Sequence, residues 1–297
     1  METRVLGRTG MQVSVLGFGG AEIGYENASQ DAVYRLLGGA LDAGLNVIDT
    51  AECYNESETL IGNAIRQRRA DLFLFSKCGH AAGLDFPDWS QDLLRASIDR
   101  SLKRLQTDRL DLIQLHGCSE QLLRSGEVVE VLQKARAAGK TRFIGYSGDS
   151  AAARYAVECG AFDTLQTSIR IADQEAIELT LPLAVQHNIG VIAKRPIANA
   201  AWQTGSSPDS YGHIYWSRLN RLDYDCLRAG TVESFPTALR FTLSTPGVCT
   251  AIVGTSKPGR WQENAQHVAA GLLPQDQYDR IRARWKETAG ADWTGQG

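Results

Sequence analysis

Four side chains in the first half of this chain are of the types from which proton-transfer sites are built: a carboxylate at Asp49, a phenol at Tyr54, an ammonium at Lys77 and an imidazole at His116. The first two close the stretch LNVIDTAECY, residues 45–54, whose apolar first half is entered through Gly44 and reads as a buried strand. Lys77 follows the apolar run LFLF, and His116 ends the run LDLIQL. Each has an ordinary explanation when taken singly, since a lysine at a strand end is commonly a solvated charge and a lone histidine a satisfied structural group. A lysine so placed could also be the amine of a Schiff base. Four titratable groups on three consecutive strand ends are harder to explain as scaffold.

The elements that must position them alternate along the chain. Residues 3–6 and 11–14 flank the turn LGRTG and form a small hairpin, and the chain then runs through 13–17 into the glycine-rich FGGAEIG. Asp31 is placed to cap a helix over 31–43 that carries Val33, Leu36, Leu37, Ala40 and Leu41 at helical spacing. Strands are expected over 45–49, 72–75, 110–115, 141–145, 163–166, 189–193 and 248–253. Helices are expected over 58–67, 90–105, 127–138, 150–158, 173–186 (with Pro182 starting a new turn), 233–243, 258–270 and 275–286. The segment 196–231 reads as one long irregular stretch. Eight strand–helix units with no break in composition predict an α/β fold with a parallel sheet, closed as a (β/α)8 TIM barrel: one domain over 1–297, with an N-terminal β-hairpin and an additional C-terminal helix. No GxGxxG follows a first strand, which argues against a dinucleotide-binding open sheet. In such barrels the carboxyl ends of the strands carry the active site, where all four groups fall.

Composition narrows the class further. The 297 residues are 43% hydrophobic, enough for a large core, and the formal net charge of −3 with interspersed signs gives no nucleic-acid surface. The N-terminus METRVLGRTGMQ has no signal-like apolar core, and no apolar run approaches the roughly 20 residues of a membrane span. Six cysteines show no CxxC pair and no metal-like grouping with histidine, so no metal is expected and the thiols read as small packing residues, Cys53 and Cys78 among them. A cytoplasmic protein acting on a small molecule, with no nucleic-acid or membrane partner, is the expectation; oligomeric state is left open.

At these residues the chain resembles the aldo-keto reductase superfamily, from the opening hairpin to the helix after the eighth strand. VIDTAECYN is similar to the block that carries that family's catalytic aspartate and tyrosine, and FSKCG and DLIQLHG are similar to its lysine and histidine blocks. The resemblance implies Asp49, Tyr54, Lys77 and His116 as the catalytic tetrad of an enzyme that reduces an aldehyde or ketone by hydride transfer. Such a reaction builds negative charge on oxygen and needs a proton donor and fixed dipoles. A free phenol, with a pKa near ~10, is a weak donor at neutral pH unless a nearby ammonium stabilises its anion. Tyr54 is then the acid, Lys77 its tuner, Asp49 the partner of Lys77, and His116 the group that orients the substrate carbonyl.

The resemblance also implies a nicotinamide cofactor held by the late strands without a Rossmann domain. Gly20 lies in the glycine-rich segment after the first barrel strand. Ser147 and Gln166 match positions that hold the carboxamide, while Gly148 replaces the asparagine usual after that serine. Where relatives often stack an aromatic, this chain has Lys194, Arg195, Pro196 and Ile197, with charge suited to the pyrophosphate. GTSKPGRWQEN resembles the adenosine-phosphate block and assigns Gly254, Thr255, Ser256, Lys257, Arg260, Glu263 and Asn264 to the cofactor. Pro258 suits the first turn of a helix, whose N-terminus favours an anion, and Arg260, Glu263 and Asn264 share one face of it. Arg260 and Lys257 would meet a 2′-phosphate, so NADP(H) is expected over NAD(H), although Gly254 stands where many relatives have lysine.

The loop at 79–89 and the segment 197–231 would shape the substrate pocket. Trp202 is its expected wall beside His116, and Tyr211, Tyr215 and Trp216 are expected mostly to anchor the segment. Nothing in the sequence separates aldehyde, ketone, sugar or steroid substrates. Two rival functions stay open: a barrel enzyme acting through a Lys77 Schiff base, and a non-catalytic nicotinamide-sensing subunit.

Overall fold

The computed structural model describes residues 1–204, 207, 208, 210, 212–228 and 232–296. The chain opens with the expected hairpin, β1 (Thr3–Val5) antiparallel to β2 (Gln12–Ser14). Eight further strands follow: β3 (Leu16–Gly19), β4 (Val47–Asp49), β5 (Phe73–Cys78), β6 (Leu110–His116), β7 (Thr141–Ser147), β8 (Thr164–Ser168), β9 (Gly190–Lys194) and β10 (Val248–Gly254). They close in chain order into a parallel barrel, with β10 returning to β3. This is the (β/α)8 architecture that the strand–helix alternation predicts. Its strands are near-continuous apolar runs because one face meets the barrel interior and the other the helices.

Val47, Phe75, Leu112, Ile192 and Ile252 fill the barrel interior, and Leu6, Met11 and Val13 of the hairpin close it. Arg8 ties the hairpin turn to the chain just before β9 by donating its backbone N–H to the Asn188 carbonyl at 2.7 Å. Gly7 has φ +48° and lies against the Gly190 backbone, so a side chain there would collide with the start of β9.

The helices are α1 (Ala21–Tyr25), α2 (Gln30–Asp42), α3 (Ser57–Ile65), α4 (Gln91–Arg104), α5 (Glu120–Ser125), α6 (Glu127–Ala137), α7 (Ser150–Glu158), α8 (Glu175–Leu179), α9 (Leu181–Gln186), α10 (Ala201–Thr204), α11 (His213–Leu222), α12 (Ser234–Ser244), α13 (Arg260–Ala269) and α14 (Gln275–Thr288). The apolar face expected on α2 is buried in full, but its cap is Ser29, which accepts from Ala32 N, and Asp31 sits inside the first turn. A serine in extended backbone can reach the free N–H groups, whereas Asp31 is already helical. The 173–186 segment breaks at Thr180, and Pro182 lies in the first turn of α9, as its missing N–H requires.

The described part of the segment expected to be irregular is largely helical. In α11, Tyr215, Leu219 and Leu222 are buried at helical spacing beneath polar neighbours, and they join Ile281, Trp285 and Trp293 in a second apolar cluster. Tyr215 and Trp216 are thus anchors; Tyr211 lies outside the described residues. Among the described residues no helix is long and apolar enough to cross a membrane, and no group of side chains could hold a metal ion.

Candidate active site

Strand register brings the four titratable groups together. Asp49 ends β4 opposite Phe75, Lys77 lies near the end of β5 opposite Gln114, and His116 ends β6 opposite Ser147. After β4 the chain makes a tight turn, closed by Tyr54 N donating to the Ala51 carbonyl at 3.0 Å, which returns the Tyr54 ring over the barrel mouth. Gly24 of α1 packs on the Tyr54 carbonyl so closely that any side chain there would displace it.

Lys77 Nζ donates to Asp49 Oδ2 at 2.5 Å and to the Thr50 carbonyl at 2.9 Å, both groups being almost wholly buried. Gln114 Nε2 donates to the other Asp49 oxygen at 3.1 Å. The Lys77 ammonium lies 5.2 Å from the centre of the Tyr54 ring. Tyr54 Oη is 3.5 Å from His116 Nε2, and Cys53 Sγ is 3.5 Å from His116 Nδ1. His80 holds this corner from behind, its Nε2 lying 3.1 Å from the His116 carbonyl and its Nδ1 3.3 Å from Asp88.

Burial sets the protonation of both groups that face the mouth. It pushes the Tyr54 phenol well above its ordinary value, with the Asp49 charge adding to the rise, so Tyr54 is stored as the neutral acid. Lowering by Lys77, expected from the sequence, does not outweigh the rise caused by burial in the resting site. Burial likewise pushes His116 well below the usual imidazole value, reinforced by the Lys77 and His80 charges. His116 is therefore neutral around pH 7 and carries one N–H.

The expected cofactor residues fall into three groups. Ser147 Oγ donates to Gln166 Oε1 at 2.8 Å, and Gln166 Nε2 is buried with no acceptor among the described residues. At the end of β9, Lys194 is turned onto Asp149 at 2.9 Å, and burial lowers its ammonium to about 8 despite that partner. Arg195 instead donates to Tyr215 Oη at 3.3 Å and to the Gln296 carbonyl at 2.6 Å. Pro196 is buried, and Ile197 packs against both larger apolar clusters. Arg195, Ala198, Asn199 and Ala200 all have left-handed φ of 46–53°, a concentration of backbone strain at the barrel mouth.

The third group follows β10. Helix α13 begins at Arg260 behind a left-handed Gly259, so Pro258 precedes the helix and does not lie in its first turn. Arg260 pairs with Glu263 at 2.8 Å, both half exposed, while Asn264 is buried. Thr255 Oγ1 accepts from Lys257 N at 3.1 Å. The Glu22 carboxyl lies directly against Gly254, and Ser256 Oγ donates to Glu26. Gly20, across the mouth, has its N–H on the Asp49 carbonyl at 2.8 Å and its carbonyl on Ser57 Oγ at 2.7 Å. Trp202 leans on Phe235 with ring centres 5.3 Å apart, and its Nε1 is buried without an acceptor among the described residues.

Sequence reasoning passed over several participants. Gln114 interrupts an apolar strand run, a signal that its side chain points to something polar. Cys53, by type a packing residue, touches the His116 ring. Asp149 fixes Lys194 while also accepting from Thr167 Oγ1 and Ser168 N. Tyr25 is 57% exposed with its ring 5.6 Å from that of Tyr54, and nothing in the sequence placed it there.

A model of the aldo/keto reductase family matches residues 15–286. The uncharacterized oxidoreductase YqkF of Bacillus subtilis (strain 168) is 26% identical over 97% of this chain and 97% of its own length. The L-galactose dehydrogenase of Arabidopsis thaliana is 29% identical, over 90% of this chain and 88% of its own. The solved holo form of aldo-keto reductase AKR11C1 from Bacillus halodurans superposes with a TM-score of 0.84 at 26% identity, covering 98% of this chain and 99% of that one.

Proposed function

We propose that this chain, which belongs to the aldo/keto reductase family, reduces an aldehyde or ketone to an alcohol with a nicotinamide cofactor as hydride source and Tyr54 as proton donor. The observation that carries this reading is the buried Asp49–Lys77 pair set beneath the Tyr54 ring, with His116 against the phenol oxygen. When bound, a reduced nicotinamide supplies the hydride. Tyr54 keeps its proton at Oη until an oxygen beside it becomes negative. Lys77, fixed by Asp49 and the Thr50 carbonyl, supplies the positive charge that stabilises the phenolate left behind. Neutral His116 offers its single N–H to orient the carbonyl. Because the Lys77 nitrogen is held between the Asp49 carboxylate at 2.5 Å and the Thr50 carbonyl at 2.9 Å, it is not free to attack a substrate carbonyl as a Schiff-base lysine must.

The residues present suit the cofactor. The unmet amide N–H of Gln166 is a donor for the carboxamide oxygen, beside Ser147. Lys194 and Arg195 would meet the pyrophosphate, and Thr255, Ser256, Lys257 and Arg260 the adenosine end. NADP(H) is favoured by Arg260, but only modestly, since Glu22, Glu26 and Glu263 crowd the same block with negative charge. Trp202 is the proposed substrate wall. The likeness to an L-galactose dehydrogenase makes hydroxylated aldehydes the first substrates to try.

The test is to follow consumption of NADPH and NADH against a panel of aldehydes, ketones and aldoses, with fluorescence quenching as the measure of binding. Tyr54→Phe should bind cofactor normally and lose roughly 10²–10⁴-fold in turnover. Near wild-type turnover in that variant would sink the mechanism. Binding without turnover across the whole panel would favour the sensing subunit.

A further inference from the structure

We propose that Cys53 is a positioning residue: its thiol donates to His116 Nδ1 and so holds the imidazole in the tautomer whose proton sits on Nε2, facing Tyr54. The inference deepens the reading above and rests on it for its kinetic consequence, but not for its geometry.

Two contacts frame the ring. Cys53 Sγ stands 3.5 Å from Nδ1, and Tyr54 Oη stands 3.5 Å from Nε2. A neutral imidazole has one N–H to place between these neighbours. If the thiol donates to Nδ1, Nε2–H donates toward Tyr54 Oη, and the phenol's own proton is left for a substrate oxygen. If Nδ1–H instead points at sulfur, Nε2 becomes an acceptor and captures the Tyr54 proton. No N–H then faces the mouth, and the acid is committed to the wrong partner.

The surroundings favour the first arrangement. Burial keeps His116 neutral and also raises the Cys53 thiol, so sulfur has a proton to give. Sulfur is a weak acceptor, so a buried N–H aimed at it would be poorly satisfied. His80 does not compete for either ring nitrogen: its own Nε2 lies 3.1 Å from the His116 backbone carbonyl, and the two rings meet edge to face at 5.3 Å. Lys77, Lys194 and Arg195 also reach the ring with positive charge, which further favours its neutral form.

The test compares Cys53→Ser, which keeps a donor, with Cys53→Ala and Cys53→Val, which remove it with and without loss of volume. Histidine-labelled protein is read by ¹⁵N–¹H correlation NMR for the His116 tautomer, in parallel with kcat, KM and cofactor binding. Wild type and Cys53→Ser should show the proton on Nε2, and the other two a mixture. In Cys53→Ala and Cys53→Val, kcat should fall about tenfold, the weight of one neutral hydrogen bond, with cofactor binding unchanged and the serine variant restoring most of the loss. An unmixed Nε2–H tautomer in Cys53→Ala, or a serine variant as slow as alanine, would overturn the proposal. The tautomer is readable whether or not a carbonyl is turned over. A wild-type protein with Nε2–H but no turnover of any substrate would overturn the enzymatic reading and leave this one standing.

Discussion

Removing Lys77 should damage the fold as well as the chemistry, and removing Asp49 with it should repair only the fold. The ammonium and the carboxylate are 2.5 Å apart, with side chains 3% and 5% exposed, so neither can turn to water if its partner is lost. In Lys77→Met the Asp49 carboxylate keeps, among the described residues, a single donor, Gln114 Nε2 at 3.1 Å, and the Thr50 carbonyl loses its ammonium. Breaking a buried pair from one side costs about 3–5 kcal/mol. At roughly 2–4 °C per kcal/mol for a chain of this order, that is a drop in Tm of about 6–20 °C. Asp49→Asn, which strands the ammonium, should lose a similar amount. The double variant has no uncompensated charge and should be more stable than either single variant, so the coupling energy in a double-mutant cycle should exceed one single loss, about 3–5 kcal/mol. The assay is urea unfolding followed by tryptophan fluorescence, with Tm as a second measure and carbonyl reduction on the same samples. All three variants should be inactive. Single variants within about 1 kcal/mol of wild type, or a double variant whose loss equals the sum of the two, would refute the claim that this pair is energetically coupled.

Two further outcomes follow from the electrostatics of the mouth. His116 is held neutral with a value well below 6.5, so the unfolded chain binds its proton more readily than the folded one. The stability this residue contributes is complete above about pH 6.5 and is lost as pH falls toward its folded value, by up to about 1.4 kcal/mol per unit. Urea unfolding between pH 7 and 5 should therefore show a shallower slope for His116→Asn than for wild type, and equal slopes would mean that the ring is not buried neutral. At the adenosine end, Arg260→Ala should weaken NADPH about tenfold, since a charge-assisted contact of about 1.5–3 kcal/mol is lost while an exposed pair with Glu263 worth little is released. NADH should change far less. Glu22→Gln should shift selectivity toward NADPH, and equal changes for both cofactors in either variant would place the selection elsewhere.

The sequence carried the architecture because the physical signals behind it are local. Apolar runs alternating with amphipathic helices can close only as a parallel sheet wrapped in helices, and eight such units favour the barrel. The same reasoning put Asp49, Lys77 and His116 at one mouth, because the carboxyl ends of parallel strands all point the same way. Local signals failed where a tertiary surface made the decision. α11 was hidden among polar residues until its buried side met α14 and Trp293. Ser29 took the cap from Asp31 by backbone conformation, which composition does not show.

What joins the site across strands could be learned only from the folded chain. Nothing in the run DLIQLH says that Gln114 reaches Asp49, or that Cys53 rather than a water or carbonyl faces His116 Nδ1. The same holds for Glu22, far from Gly254 in sequence yet pressed against it in the barrel. A strand's periodicity fixes which residues point inward. Which groups then meet depends on the closure of the barrel, where β10 returns to β3 and separations of hundreds of residues become hydrogen-bond distances.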